Sequence, residues 1–241
     1  MSRPSIDITI PVLNEAPTLR EQVTKLHHWL SDNFLEAADW QIVIADNGST
    51  DATPQIAQEL VLALPQVSWL QVPRRGVGLA LKHSWGQSKA DIVGYMDLDL
   101  ATDLPHFLAA YSALADQDYD LVYASRLHKN SEVVGRSFKR EVASRGFNFL
   151  LRNYLRVGFS DGMCGFKWLY RRHLSALMAG GADNDGWFFS TELLTVAEWQ
   201  GLNICELPVK WTDDVSSSKV KILPLAKRYL HAMRQLKKRQ P

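Results

Sequence analysis

The chain has 241 residues, 46% of them hydrophobic and 22% charged, with a formal net charge of +1. That length allows one large domain or two small ones of ordinary globular composition, and the near-zero charge gives no reason to expect nucleic acid as a partner. Two cysteines, Cys164 and Cys205, make no disulfide framework or Cys-x-x-Cys pair and suit a reducing compartment; no run of 18 apolar residues predicts a membrane span, and Asp7 and Pro11 break any signal-peptide pattern.

In chain order, residues 6–12 read as a strand. Residues 15–34 read as a helix with Leu19, Val23, Leu26 and Leu30 at helical spacing. A second strand at 41–45 leads into the polar loop Asp46-Asn47-Gly48-Ser49-Thr50-Asp51. Thr53-Pro54 then opens a helix, with Thr53 as its N-cap and Pro54 at its first position. A third strand at 67–72, a loop and helix over 76–88, and a fourth strand at 92–96 follow. This alternation is the pattern of a parallel sheet with crossover helices. Beyond it the spacing predicts a helix at 104–114, a short strand at 121–124, a long basic-edged helix at 137–155, a strand at 164–170, a helix at 188–199 and a strand at 203–209. The end of the chain, 219–239, reads as a basic amphipathic helix with a bend or start near Pro224.

The fourth strand ends in Asp97-Leu98-Asp99. In an extended chain the two carboxylates would point the same way. At ~4 Å they would repel by roughly 1 kcal/mol in water and ~4 kcal/mol at an effective dielectric of 20. A divalent cation removes that repulsion, and oxygen ligands suit Mg²⁺ or Mn²⁺. Asp-x-Asp alone is equally a solvated acidic turn. Its place after a buried strand, where open α/β sheets bind ligands, favours the metal. Glu15, Asp46, Asp97 and Asp99 each follow a predicted strand, so the four could converge on one sheet edge and hold a nucleotide and its diphosphate.

Other features carry less. Gly76-Val77-Gly78 lacks the third glycine of a dinucleotide fingerprint, since position 81 is Leu81, although Arg74 and Arg75 beside it could attract a phosphate. Arg140 and Ser144 lie four apart and share a helix face; Arg145, Arg152 and Arg156 read as solvated surface. Trp187-Phe188-Phe189 and Trp211 read as core before groove, and His27-His28 as surface.

The ordered motifs Ile10-Pro11-Val12-Leu13-Asn14-Glu15, Asp46-Asn47-Gly48-Ser49-Thr50-Asp51 and Asp97-Leu98-Asp99 resemble family 2 glycosyltransferases of the GT-A fold. Ser125-Arg126, Arg140 with Ser144, Cys164-Gly165-Phe166-Lys167, Thr191-Glu192-Leu193-Leu194, and Leu207-Pro208-Val209-Lys210-Trp211 through Ser218-Lys219-Val220 narrow this. They resemble the dolichyl-phosphate glucosyl- and mannosyltransferase branch. The resemblance implies one GT-A domain, a mostly parallel α/β sheet. Residues 6–103 would form its donor half, 104–222 its acceptor half and 223–241 its basic tail. It implies donor binding by Pro11, Leu13, Glu15, Asp46 and Asp97, and a metal on Asp97 and Asp99. Asp99, Arg126 and Arg140 would be catalytic, and Arg126, Arg140, Ser144 and Lys219 would hold an acceptor phosphate. Ala101-Thr102 follows the glucosyl pattern; Val77, Asp161-Gly162-Met163 and Ser190 depart from the family's usual residues.

The reaction implied is inverting transfer of a hexose from a nucleotide-diphosphate sugar (UDP-glucose or GDP-mannose type) to a polyprenyl or dolichyl phosphate. The enzyme would sit peripherally on the cytoplasmic membrane face, held by its tail or by a membrane-protein subunit. The tail reads equally as a packed terminal helix. Two other readings stay open: transfer to a sugar or protein hydroxyl, with Asp161 or Asp103 as base, and a non-catalytic sugar-nucleotide-binding protein.

Overall fold

The computed structural model describes residues 3–34, 38–212 and 222–240. Its centre is a seven-stranded sheet in the order β3-β2-β1-β4-β7-β5-β8. These strands are β1 (Ile6–Val12), β2 (Trp40–Asp46), β3 (Val67–Gln71), β4 (Ile92–Met96), β5 (Leu121–Ser125), β7 (Phe166–Tyr170) and β8 (Ile204–Pro208). All neighbours pair in parallel except β7, which runs antiparallel to β4 and to β5. A separate ribbon joins β6 (Glu132–Val134) to β9 (Lys210–Thr212). The expected mostly parallel α/β sheet with a mixed second half is the observed architecture.

Strand alternation sorts the side chains into two cores. Ile6, Ile8, Ile10 and Val12 of β1, with Ile92 and Met96 of β4, Phe166 and Trp168 of β7, and Val122 and Ala124 of β5, face one side. There they meet α1 (Leu19–Asn33), α2 (Thr53–Ala63) and α4 (His106–Asp116) through Leu19, Val23, Leu26, Leu30, Leu60 and Phe107. The opposite set, Val93, Tyr95, Leu121, Tyr123 and Leu169, meets α3 (Val77–Gln87), α5 (Phe138–Leu155), α6 (Leu174–Ala179), α7 (Phe189–Trp199) and α8 (Ile222–Lys237). Each fully buried Ile, Val, Leu or Phe stabilises the fold by roughly 1.5–3 kcal/mol, which locks the register of these strands.

Several boundaries differ from expectation for local reasons. The first helix begins at Leu19, because Asn14 takes a left-handed φ of 55° and the amides of Thr18 and Leu19 both turn back to the Glu15 carbonyl. Thr53 does not cap its helix; Ala52 holds that position, and the Thr53 hydroxyl instead accepts the Glu15 N–H at 2.9 Å. β7 starts at Phe166, after a turn at Gly162-Met163 and a bend at Gly165. His27 is buried and bonded to the Pro65 carbonyl, not on the surface. β6, β9, α6 and a 3₁₀ turn at Arg171–His173 carried no periodic signal.

The tail helix α8 buries Tyr229, Ala232, Met233 and Leu236 in the second core, so this face is packed and not offered to a bilayer. Lys219 lies outside the described residues, as do the side chains of Leu223 and Leu225.

Candidate active site

β1, β2, β4 and β5 run parallel in register or across β7, so their carboxyl ends share one edge. That edge carries Glu15, Asp46, Asp97, Asp99 and Arg126, bringing the expected residues to one side of the sheet. Pro11 and Leu13 are half-buried at the end of β1. Asp46 is fully buried; its carboxylate accepts the Ser49 N–H at 2.9 Å and Gln71 Nε2 at 3.2 Å. Asn14 and the second loop are sewn together: the Asn14 amide donates to Ser49 Oγ at 2.9 Å, and Asn14 Oδ1 accepts the Thr50 N–H at 2.8 Å. Asn47 reaches further and accepts the Gly76 N–H through Oδ1. Gln71 is a site-shaping residue that motif reasoning missed, and Asn47 stood in the second motif without a role; both lie at strand ends, which is the signal that could have found them.

Asp97 and Asp99 do not lie in an extended segment. β4 ends at Met96 and the motif forms a turn, with the Leu100 amide bonded to the Asp97 carbonyl at 3.2 Å and Leu100 at a φ of 51°. Asp99 is exposed and its Oδ1 accepts the Ala101 N–H at 3.1 Å. Asp97 is half-buried against Gly165: its amide donates to the Gly165 carbonyl at 3.1 Å, and a Cβ at position 165 would stand 1.8 Å from its Oδ2. This contact is the physical reason for glycine in Cys164-Gly165-Phe166. Burial first, then the charge of Asp99, pushes the Asp97 carboxyl up to about 7, partly opposed by Arg126 and Lys167. Among the described residues no three His, Cys, Asp or Glu side chains converge as a metal site. A cation on Asp97 and Asp99 would be open to further oxygen ligands, as Mg²⁺-type ions are when substrate phosphates complete the shell.

Arg126 is held by partners that its motif did not indicate. Arg126 grips Asp161, with Nε 2.7 Å from Oδ2 and Nη2 3.0 Å from Oδ1, and its backbone N–H adds a third bond at 3.1 Å. Trp211 packs against its guanidinium at 5.0 Å. Burial would raise the Asp161 carboxyl, but Arg126 and then Lys167 outweigh it and hold it down at about 2. Arg126 is therefore half of an ion pair with the buried Asp161, whose carboxylate it holds ionised. Ser144 is buried on the inward side of α5 and its hydroxyl has no partner among the described residues. One turn later Asn148 Oδ1 accepts the Gly162 N–H at 2.9 Å, tying the same helix side to the turn that holds Arg126. Arg140 occupies the first turn of α5, its amide capped by Ser137 Oγ at 3.4 Å. Arg74 and Lys82 pair with Asp185 at 2.5 and 2.8 Å, so Arg74 is committed to a protein carboxylate.

A twisted, mostly parallel sheet with nucleotide-type loops and an Asp-x-Asp turn on its carboxyl edge is the GT-A class of glycosyltransferase fold. The family model described as "Glycosyl transferase family 2" matches residues 7–178, and the chain belongs to that family. Glycosyltransferase AglD of Haloferax volcanii is 33% identical over 207 residues, covering 86% of this chain and 33% of AglD. Dolichyl-phosphate beta-glucosyltransferase ALG5C of Trichomonas vaginalis is 28% identical over 228 residues, covering 90% of this chain and 66% of the relative. The chain thus spans a third of the first and just under two thirds of the second. Glucosyl-3-phosphoglycerate synthase from Mycobacterium tuberculosis shares the fold. Its complex with Mn²⁺, UDP-glucose and phosphoglyceric acid superimposes with a TM-score of 0.71 at 20% identity, covering 98% of this chain and 80% of the synthase.

Proposed function

We propose that the protein transfers a hexose, with inversion, from a nucleotide-diphosphate sugar to the phosphate of a polyprenyl lipid. The observation that supports this is the wall beside Arg126: a buried Ser144 hydroxyl, without a partner among the described residues, on the side of α5 tied to the turn that carries Asp161. The dolichyl-phosphate relatives point to the same acceptor class.

In this reading Glu15 and Asp46 hold the donor nucleoside, with Pro11 and Leu13 beneath it. Asp97 and Asp99 would hold Mg²⁺ or Mn²⁺, which fits a pair in which the charge of Asp99 helps raise the proton affinity of Asp97. Bound there, the cation would supply Lewis-acid stabilisation of the departing diphosphate. The acceptor phosphate has a second pKa of ≈ 6, so it attacks as an anion and needs no general base. Its oxygen forms a bond to the anomeric carbon while the bond to the diphosphate oxygen breaks, releasing a nucleoside diphosphate. Arg126, Arg140 and Ser144 orient the attacking anion, joined by Lys219. Asp161 keeps the Arg126 fork in one orientation.

A lipid acceptor also needs a surface. With the apolar side of α8 packed, the outward side of α5 supports the peripheral-membrane reading: Phe138 is 82% and Phe149 71% exposed, with Val142 between them and Leu150 beyond. Lys139, Arg152 and Arg156 flank them and form no ion pair among the described residues. An apolar strip with basic flanks suits an anionic interface. No helix among the described residues is long and apolar enough to cross a membrane.

The test is incubation with labelled UDP-glucose or GDP-mannose, Mn²⁺ and a polyprenyl phosphate, in parallel with phosphoglyceric acid as acceptor. Label extracted into the organic phase is the expected result. Label only on the soluble phosphate would replace the lipid by a small acceptor, and nucleotide binding without turnover would favour the binding-protein reading.

A further inference from the structure

Beneath the site lies a charged group that the chemistry above does not use. Tyr95 of β4 stands opposite Lys167 of β7 in the antiparallel ladder, and alternation turns both toward the second core. Lys167 is 0% exposed. An isolated ammonium there would be costly, so its partners matter. Its Nζ donates to the carbonyl oxygens of Cys164 at 2.6 Å and Gly162 at 3.3 Å. Burial lowers its proton affinity to about 8, against the opposing pull of nearby anionic groups that include Asp161 and Asp97.

The same two carbonyls are gripped from a second direction. Thr191 Oγ1 donates to the Gly162 carbonyl at 3.1 Å. The Tyr95 hydroxyl lies 2.6 Å from Ser190 Oγ and 3.4 Å from the Cys164 carbonyl, and Ser190 Oγ lies 3.5 Å from the Gly162 carbonyl. The turn 161–165 is thus held from below at two points. Its upper side makes the contacts already described: Asp161 grips Arg126, and Gly165 abuts Asp97. One short turn touches both sides of the cleft, and one buried ammonium touches that turn twice.

We propose that Lys167, with Tyr95, Ser190 and Thr191, is a positioning residue. It fixes the turn 161–165 from beneath and so sets the place of Asp97 and of Arg126 together. Calling these the donor and acceptor sides rests on the function proposed above; the mechanical coupling between them does not. A packing lysine would stabilise the domain without linking the two. The coupling works through geometry: shifting the Gly162 and Cys164 carbonyls moves Asp161 and Gly165, and neither Asp97 nor Arg126 can follow independently.

The experiment compares Lys167→Met, Thr191→Val and Tyr95→Phe with the wild type in two readouts. The first is amide hydrogen exchange of the ligand-free protein. The Asp97 and Arg126 amides, which donate to Gly165 and Asp161, should lose protection together, by about tenfold in Lys167→Met and a few-fold in the milder variants. Amides of β1 and β2 should not change. The second is calorimetry of UDP with and without Mn²⁺. Metal-dependent affinity should fall about tenfold in Lys167→Met while metal-free UDP affinity stays within twofold. Should Lys167→Met fail to fold, Thr191→Val and Tyr95→Phe decide the matter by the same pattern. Exchange that rises at only one of the two amides, or equally throughout the sheet, overturns the proposal. If UDP and Mn²⁺ do not bind the wild type, the donor reading fails while the exchange result still judges the coupling.

Discussion

The two halves of the sheet build the site by different means. On the β3-β2-β1-β4 side the carboxylates leave the ends of parallel strands, and the loops that carry Glu15 and Asp46 are joined to each other by neutral polar contacts between backbone amides and side-chain oxygens. On the β7-β5-β8 side the contacts are made by charged groups. Arg126 is held by Asp161, 35 positions away, and by Trp211 from the far end of the chain. The insertion of antiparallel β7 between β4 and β5 brings the turn 161–165 against Asp97. One side is a set of strand ends joined by neutral polar contacts. The other is a charge assembly in which Arg126, Asp161 and Lys167 act on one another.

That contrast makes the largest expected effect a break in the buried pair. Arg126→Ala leaves Asp161 ionised and unpaired in the interior, and should cost about 3–5 kcal/mol in urea unfolding. A loss below about 1 kcal/mol would mean that the two sides are not so different. The pair also predicts a pH signature. The folded Asp161 carboxyl, at about 2, lies below its ordinary 3.8, so its contribution is present above about pH 4 and is lost as pH falls toward 2. The difference corresponds to about 2 kcal/mol, and unfolding curves between pH 5 and 2 should lose this component in Arg126→Ala.

Next in size is Gly165→Ala. The added Cβ meets Asp97 Oδ2 at 1.8 Å, so either the turn or the carboxylate must move, at a cost of about 1–3 kcal/mol. Mn²⁺-dependent nucleotide binding, measured by calorimetry, should weaken along with stability. Unchanged binding would show that Asp97 can relocate freely and would blur the line between the two regions.

The smallest effect belongs to the donor loops. Thr53→Val removes the acceptor of the Glu15 N–H and should cost about 1 kcal/mol by thermal or chemical unfolding. A larger loss would show that the donor side, too, is a tightly coupled unit.

How much of this was legible in the sequence follows the same division. β1 and β4 matched their expected bounds because both show clear apolar runs closed by turn formers. Ser137, read as the first residue of the long helix, is its cap. The ribbon of β6 and β9 was not, since each is three residues long and pairs with a segment 78 positions away. Thr53 had the chemistry of a cap and was claimed by another loop. Arg126 was legible as an important cation, but its counter-ion was not, because Asp161 reads as a loop acid until β5 and β7 are side by side.

By itself the sequence determined the alternation of strands and helices, the family, and which carboxylates stand at strand ends, since periodicity and turn chemistry act within a few residues. Only the tertiary structure decided that β7 runs backwards through the sheet, that α8 packs instead of presenting its apolar side, and that Lys167 is buried under the site. The physical reason is burial. Whether a lysine or aspartate is a solvated surface charge or part of an internal pair depends on which distant groups exclude water from it, and no local pattern records that.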